Sequence, residues 1–298
     1  MMHFPASSKF TRLRILQRLE DTLELPPLPE TRERILCLRS DPNAVMGDLV
    51  DIVESDPGLA AQVVSWASSS FYASAGQVRS VHDAISRVLG FDTVMNLAMG
   101  LALGRTLKAP LDQPEGYRDY WQQATWQAQS AGILAGMMPR TKRPLFGLAY
   151  LAGLLHNFGD LVLVQVFPPY HEQLVRWQGD NPAGDRADHE QKLMGFSREQ
   201  IAARLLENWG MPDEVILAVQ HQVTADYTGP HQNLARIVWL GRQLLTARGA
   251  MAGRAELVPQ AVYEELGLSR QAVEQQFDAL VHNRDGIMAM AGMMPLAR

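Results

Sequence analysis

Apolar residues recur at helical spacing along almost the whole chain, and the alternating apolar and polar runs that mark strands are missing. In residues 56–67, Leu59, Ala60, Val63, Val64 and Ala67 fall on one face behind Pro57, whose fixed φ suits a first helical turn. In residues 80–90, Ser80 is placed to cap, with Asp83 at the third helical position. Val81, Ala84, Ile85 and Val88 form the stripe, and Gly90 supplies the stop. Ser197 and Gln200 have the spacing of a reciprocal cap ahead of Ile201, Ala202, Leu205, Leu206 and Trp209. Gly210 then ends that helix and Pro212 opens another. The expected fold class is all-α.

A chain of 298 residues with 47% hydrophobic residues can bury a large core without disulfides or metals, as one domain or two lobes. The most loop-like internal segment is KAPLDQPEG at 108–116, with two prolines and a glycine. It divides the chain into an N-terminal helical lobe, 1–110, and a second lobe, 111–298, that ends in a Met-rich tail. Weaker breaks are expected at 178–188 and 248–253.

One cysteine, Cys37, allows no disulfide framework within the chain and favours a reducing compartment, so a cytoplasmic location is expected. Its setting, ERILCLR, reads as a buried helix face. The N-terminal MMHFPASSKFTRLRIL lacks a continuous apolar run, and no secretory leader is expected. Residues 120–139 are broken up by Gln122, Gln123, Gln127 and Gln129, and residues 144–159 are short and carry His156 and Asn157. Neither is expected to span a membrane, which takes about 20 predominantly apolar residues.

A formal charge of −5 gives no general attraction to nucleic acid or anionic lipid. The basic group Lys9, Arg12, Arg14 and Arg18 is followed at once by Glu20, Asp21 and Glu24, the pattern of a solvated helix face. Residues 84–103 imitate a helix-turn-helix with Gly90 at the turn. The segment 92–103, where a recognition helix would lie, has no Lys or Arg and is apolar on most sides, so core packing is expected. No nucleophile elbow, phosphate-binding loop or dinucleotide fingerprint is present. His3, His82, His171, His189, His231 and His282 show no metal-ligand spacing.

Four segments, taken in order, carry a family resemblance: LPPLPE at 25–30; Ile52, Asp56, Pro57, Leu59, Val63 and Ser68, followed by Val81, Ala84, Ile85, Leu89 and Gly90; LAGLLHNFGDLVL at 151–163; and Gly195, Leu205, Leu206 and Trp209 through Pro212. Over roughly residues 20–245 the chain resembles the HDOD family, the HD-related output domains of bacterial signalling proteins. The resemblance implies a helical bundle packed on a second lobe related to HD phosphohydrolases, used as a signalling or regulatory module.

HD phosphohydrolases hold one or two metal ions on a His, a His-Asp pair and further His or Asp residues. Neutral imidazole and anionic carboxylate bind the cation, and its charge makes bound water nucleophilic near neutral pH. By the resemblance, Gln123 occupies the first His position, the pair reads His156-Asn157, and Arg198 stands where a later His would be. His221 is retained beside Gln222, and an acidic ligand near residues 240–242 is absent. Asn157 removes a full negative charge and Arg198 repels a cation. Gln123, His156, Asn157, Arg198 and His221 are therefore expected to be vestigial, with no catalytic residue, no bound metal and no cofactor.

The resulting expectation is a non-catalytic, cytoplasmic regulator that contacts other signalling proteins in trans, with no nucleic acid and no membrane. Two alternatives stay open: a metal-dependent phosphohydrolase with unusual ligands, and a sensor that holds a small ligand such as a nucleotide in the vestigial pocket. The end of the chain, GIMAMAGMMPLAR at 286–298, is either part of a partner-binding surface or a tail that folds back on its own lobe or frays.

Overall fold

The computed structural model describes residues 30–68, 78–106, 114–181 and 184–292. Among them there is no strand. The first half contains α1 (Glu30–Ser40), α2 (Met46–Glu54), α3 (Pro57–Ala67), the short α4 (Val81–Asp83) running on into a π-helical segment (Ala84–Leu89), and α5 (Phe91–Thr106). The second half opens with the long α6 (Pro114–Met137), then α7 (Phe146–Leu154), α8 (Phe158–Val166), α9 (Pro168–Asp180) and α10 (Arg186–Met194). It continues with α11 (Arg198–Asn208), α12 (Asp213–His221), α13 (Gln232–Ala247), α14 (Gln260–Leu266), α15 (Arg270–His282) and α16 (Arg284–Gly292).

The helix starts follow the local signals. Ser80 Oγ accepts the Asp83 N–H at 3.0 Å, and the Asp83 carboxylate accepts the Arg79 N–H at 3.1 Å. At α11 the reciprocal cap is complete, with the Gln200 N–H on Ser197 Oγ at 3.4 Å and the Ser197 N–H on Gln200 Oε1 at 3.1 Å. Gly90, at φ +81°, donates its N–H to the Ile85 carbonyl at 2.9 Å. That bond reaches back five residues, so the helix before Gly90 closes as a wider turn than the α-helix the spacing suggests.

One continuous apolar core runs through both halves, with Trp66, Trp126 and Trp239 fully buried in it. α6 and α7 lie at its centre: α6 packs on α7, α13 and α16, and α5 packs across α7. The close approach of α6 to α7 needs Gly153, where a Cβ would sit 2.5 Å from the Gln127 carbonyl oxygen and 2.7 Å from the Ala128 Cα. Both neighbours are backbone and cannot swing away. Trp66 stands edge-on to Tyr150 at 5.6 Å and joins α3 to α7.

This packing bears on several expectations. α5 buries Val94, Met95, Leu97, Ala98, Met99 and Leu101, as expected of a core helix and not of a DNA reader. The stretch Phe146–Val166, 21 residues, is long and apolar enough by composition to cross a membrane, with an 18-residue window of mean hydropathy 1.4, but 89% of that window is buried inside the protein, as in a core helix, and the helix is interrupted at residues 155–157. Cys37 corrects its reading: it is exposed. α1 turns Ile35 and Leu38 inward instead, and two helical steps carry Cys37 some 200° away from Ile35. Of the segment placed as a loop at 108–116, residues 108–113 lie outside the described residues, whereas Pro114 to Gly116 form the first turn of α6. The basic group at 9–18 and LPPLPE up to residue 29 also lie outside them.

Leu205 and Leu206 are buried on the inner face of α11, and Trp209, which caps its C-terminal end, is buried as well. Truncating Leu205 to alanine is expected to cost about 2–5 kcal/mol by denaturant unfolding. A loss below about 0.5 kcal/mol, the range of an ordinary surface substitution, would mean that α11 is mounted on the surface.

Candidate functional site

Helix α7 stops at Leu154 and α8 begins at Phe158, and the three-residue turn between them carries His156 and Asn157 inward, each 8% exposed. His156 Nδ1 lies 2.8 Å from the Gly153 carbonyl oxygen, so Nδ1 bears the proton and donates it. Burial pushes the imidazole down to about 3, against a partial offset from that hydrogen bond, and the nearby Arg242 lowers it further. His156 is therefore neutral at physiological pH.

Asn157 Nδ2 donates to the Tyr120 carbonyl on α6 at 3.0 Å. This bond gives the amide a physical reason: an aspartate in the same rotamer would set a carboxylate oxygen against a carbonyl oxygen. Gln123 lies one turn further along α6 and is half-buried.

The opposite wall departs from the sequence expectation in register. Gln222, and not His221, reaches the turn: its Nε2 donates to the His156 carbonyl at 2.6 Å and to the Val219 carbonyl at 3.0 Å. His221 lies face to face with Tyr227, ring centroids 3.9 Å apart and planes within 8°. Burial lowers its pKa. Of the five positions singled out, the described contacts draw His156, Asn157 and Arg198 into one neighbourhood, while His221 is engaged elsewhere.

Arg198 opens α11 and is the centre of a buried ionic cage. Its Nη1 donates to Glu190 Oε1 at 3.1 Å, its Nε to Glu199 Oε1 at 3.0 Å, and its backbone N–H to Glu190 Oε2 at 2.9 Å. Arg186 completes the shell, with Nε on Glu190 Oε1 at 2.9 Å and Nη2 on Asp160 Oδ1. Helix starts meet closely here, because a Cβ on Gly159 would collide with the Arg198 carbonyl oxygen.

Burial opposes the charges of Asp160, Glu190, Arg198 and Arg242. Burial raises Glu190, and its two arginines offset only part of that. For Asp160, by contrast, Arg186 and Arg198 outweigh the burial and hold the carboxyl below its usual range. Burial depresses the Arg198 guanidinium, yet Asp160, Glu199 and Glu190 together hold it above its ordinary value. Arg242, on α13 where an acidic ligand was expected, is lowered by burial and by the like charge of Arg198. Three guanidiniums thus face three carboxylates, and the cage is formally neutral.

Sequence reasoning missed Asp160, Arg186, Glu190 and Glu199 as members of this site. The available signal was the i,i+4 spacing of Arg186 and Glu190 and the presence of Asp160 in an otherwise apolar helix.

A divalent cation does not fit these residues. The carboxylates closest to His156 are already engaged by guanidiniums, and Asn157 offers its neighbour a donor. Among the described residues no three His, Cys, Asp or Glu side chains converge as a metal would need.

Compared with known proteins, the chain matches the HDOD domain model over residues 25–225. A crystal structure from Marinobacter aquaeolei VT8, of a protein named provisionally for signal transduction, is 63% identical with a TM-score of 0.83, covering 99% of this chain and 67% of that one. An HDOD domain protein of unknown function from Geobacter sulfurreducens has a TM-score of 0.73 at 20% identity, covering 95% of this chain and 99% of its own. A provisionally named phosphohydrolase from Shewanella amazonensis SB2B has a TM-score of 0.72 at 20% identity, covering 93% and 98%. The last two establish a shared helical fold. An uncharacterized protein of Treponema pallidum (strain Nichols) is 24% identical over 208 residues, 69% of this chain, and the chain spans 38% of the length of that curated relative.

Proposed function

The chain belongs to the HDOD family, and from that premise we propose that it is a non-catalytic regulator, cytoplasmic and acting through contacts with other signalling proteins in trans. The observation that carries this reading is the guanidinium of Arg198, held inside the carboxylate cage beside the His156-Asn157 turn. Phosphate-ester hydrolysis on an HD-like fold relies on a cation that acidifies water. Here Glu190 and Glu199 are engaged by a permanent cation that belongs to the chain, and Asn157 supplies an amide in place of an anion.

The 63% identity to the Marinobacter protein supports a signalling role, since that protein carries a signal-transduction name. A nucleotide sensor draws less support, because a cage of three cations and three anions leaves no excess positive charge for a phosphate.

The experiment is metal analysis of protein purified without chelator, joined to phosphomonoesterase and phosphodiesterase assays with p-nitrophenyl substrates in Mg²⁺ or Mn²⁺. The expected result is less than stoichiometric metal and no turnover above buffer. Turnover that disappears in His156→Ala would refute the reading.

A further inference from the structure

We infer that the turn between α6 and α7 is a docking surface for an acidic segment of a partner protein, with Arg140, Lys142 and Arg143 meeting its carboxylates and Leu145 meeting an apolar side chain between them. This inference rests on the reading above, in which the chain acts through contacts with other signalling proteins, and names the surface and the chemistry of the contact.

Three of the four residues 140–143 are cations, in a chain whose formal charge is −5. All three are exposed, and among the described residues none of them is ion-paired with a carboxylate. The negative end of a helix favours cations in its own last turn, but these lie beyond the end of α6 at Met137.

The turn is held in place by its neighbours. Lys142 and Arg143 donate their backbone N–H groups to the Pro139 carbonyl at 2.9 and 3.0 Å. Asn233 Nδ2 on α13 donates to the Lys142 carbonyl at 2.8 Å, and Lys142 Nζ donates to the Glu265 carbonyl on α14, also at 2.8 Å. The backbone is ordered before a partner arrives, which lowers the entropic cost of binding.

Beside the cations the surface is concave and partly apolar. Leu145 is 65% exposed and, with Leu148, Lys142 and Arg143, lines a cleft of about 330 Å³ at the start of α13. Phe146 points elsewhere, its ring lying over Gly132 of α6. Glu214 is the carboxylate of this cleft, and the charge of Arg39 acts on it. A second cleft of about 450 Å³ adjoins Lys142 and contains Glu265, which is ion-paired with Arg236. Each carboxylate lining the clefts thus faces a cation of its own, and the three cations of the turn are left for a partner. Clefts beside a basic ridge fit the side chains of a polypeptide, whereas a flat lipid surface would meet little besides Leu145. The net negative charge of the chain repels an acidic segment elsewhere and so directs it to this turn.

Fluorescence anisotropy with the full chain tests this, using a short labelled peptide of glutamates around a central leucine. Wild type should bind with a Kd below about 1 mM at ~0.05 M salt and roughly fivefold more weakly at ~0.3 M. Arg140→Gln/Arg143→Gln should bind about tenfold more weakly and still melt at the wild-type temperature, since both side chains are exposed. Lys142 is left in place because its ammonium also ties the turn to α14. Leu145→Ser should weaken binding roughly threefold, as should serine in place of the peptide's leucine, with no further loss when the two are combined.

A wild type that does not bind the peptide, or binding that survives Arg140→Gln/Arg143→Gln, overturns this inference alone, because metal content and turnover judge the non-catalytic reading separately. Arginine-dependent binding to phosphatidylglycerol vesicles without binding to the peptide gives the surface to a membrane and overturns it too.

Discussion

Between pH 6.5 and about 3, the protein is expected to lose up to about 5 kcal/mol of stability through His156 alone, about 1.4 kcal/mol for each pH unit. The folded imidazole is held near 3 because protonating it would place a charge in a desolvated turn whose Nδ1 proton already serves the Gly153 carbonyl. The unfolded chain takes up that proton near 6.5. Over the interval the unfolded state binds more protons than the folded state, so stability rises with pH. The contribution of His156 is complete above 6.5 and disappears as the pH falls through the folded value.

Other groups titrate in overlapping windows, so the slope for the whole protein is not the test. Asp160, lowered by its arginines, also loses its contribution on acidification, whereas Glu190, raised by burial, acts in the opposite sense. His171 and His221 are lowered by burial and add to the fall. The difference between wild type and His156→Gln isolates the one residue, because glutamine is uncharged throughout and can donate a hydrogen bond. Between pH 7 and pH 4 the wild-type denaturant midpoint should fall relative to that of His156→Gln, whichever is higher at pH 7. Parallel curves would show that His156 takes up its proton in the folded state.

The fold was legible because helix formation leaves a local record. The stripe in residues 57–67 and the Ser197–Gln200 cap each depend on residues within one or two turns, and both form as the spacing requires. The cage has no such record. Arg186 meets Asp160 across 26 residues of sequence and Arg198 meets Glu190 across eight, through packing that periodicity does not encode. His221 and Gln222 show how fine the remaining uncertainty is: adjacent helical side chains point about 100° apart, so an error of one residue exchanges the group that touches His156 for one that stacks on Tyr227. Cys37 failed for a related reason, since a short apolar run does not show which of its residues face inward.

Deleting residues 286–298 is expected to destabilise the protein by on the order of 5 kcal/mol, which decides between the interface and fold-back readings of the Met-rich tail. Up to Gly292 the tail is helix α16, packed on α6, with Ile287 and Met290 at 0% exposure and Ala291 at 5%. Full burial of an isoleucine and a methionine contributes about 1.5–3 kcal/mol each. The deletion also removes the Met290 carbonyl that accepts the Trp66 indole N–H at 3.3 Å, a hydrogen bond worth about 0.5–1.5 kcal/mol. Gln129 Nε2 loses its contact with Met290 Sδ, 3.7 Å away. Met293 and Met294 lie outside the described residues, so the test needs a second cut that removes only residues 293–298. The longer deletion should lower the melting temperature by several degrees, while the shorter one isolates any contribution of the last six residues to partner binding. A longer deletion that melts like wild type would mean that Met290 does not hold α3 and α6 together, and would return residues 286–292 to the surface as a candidate interface.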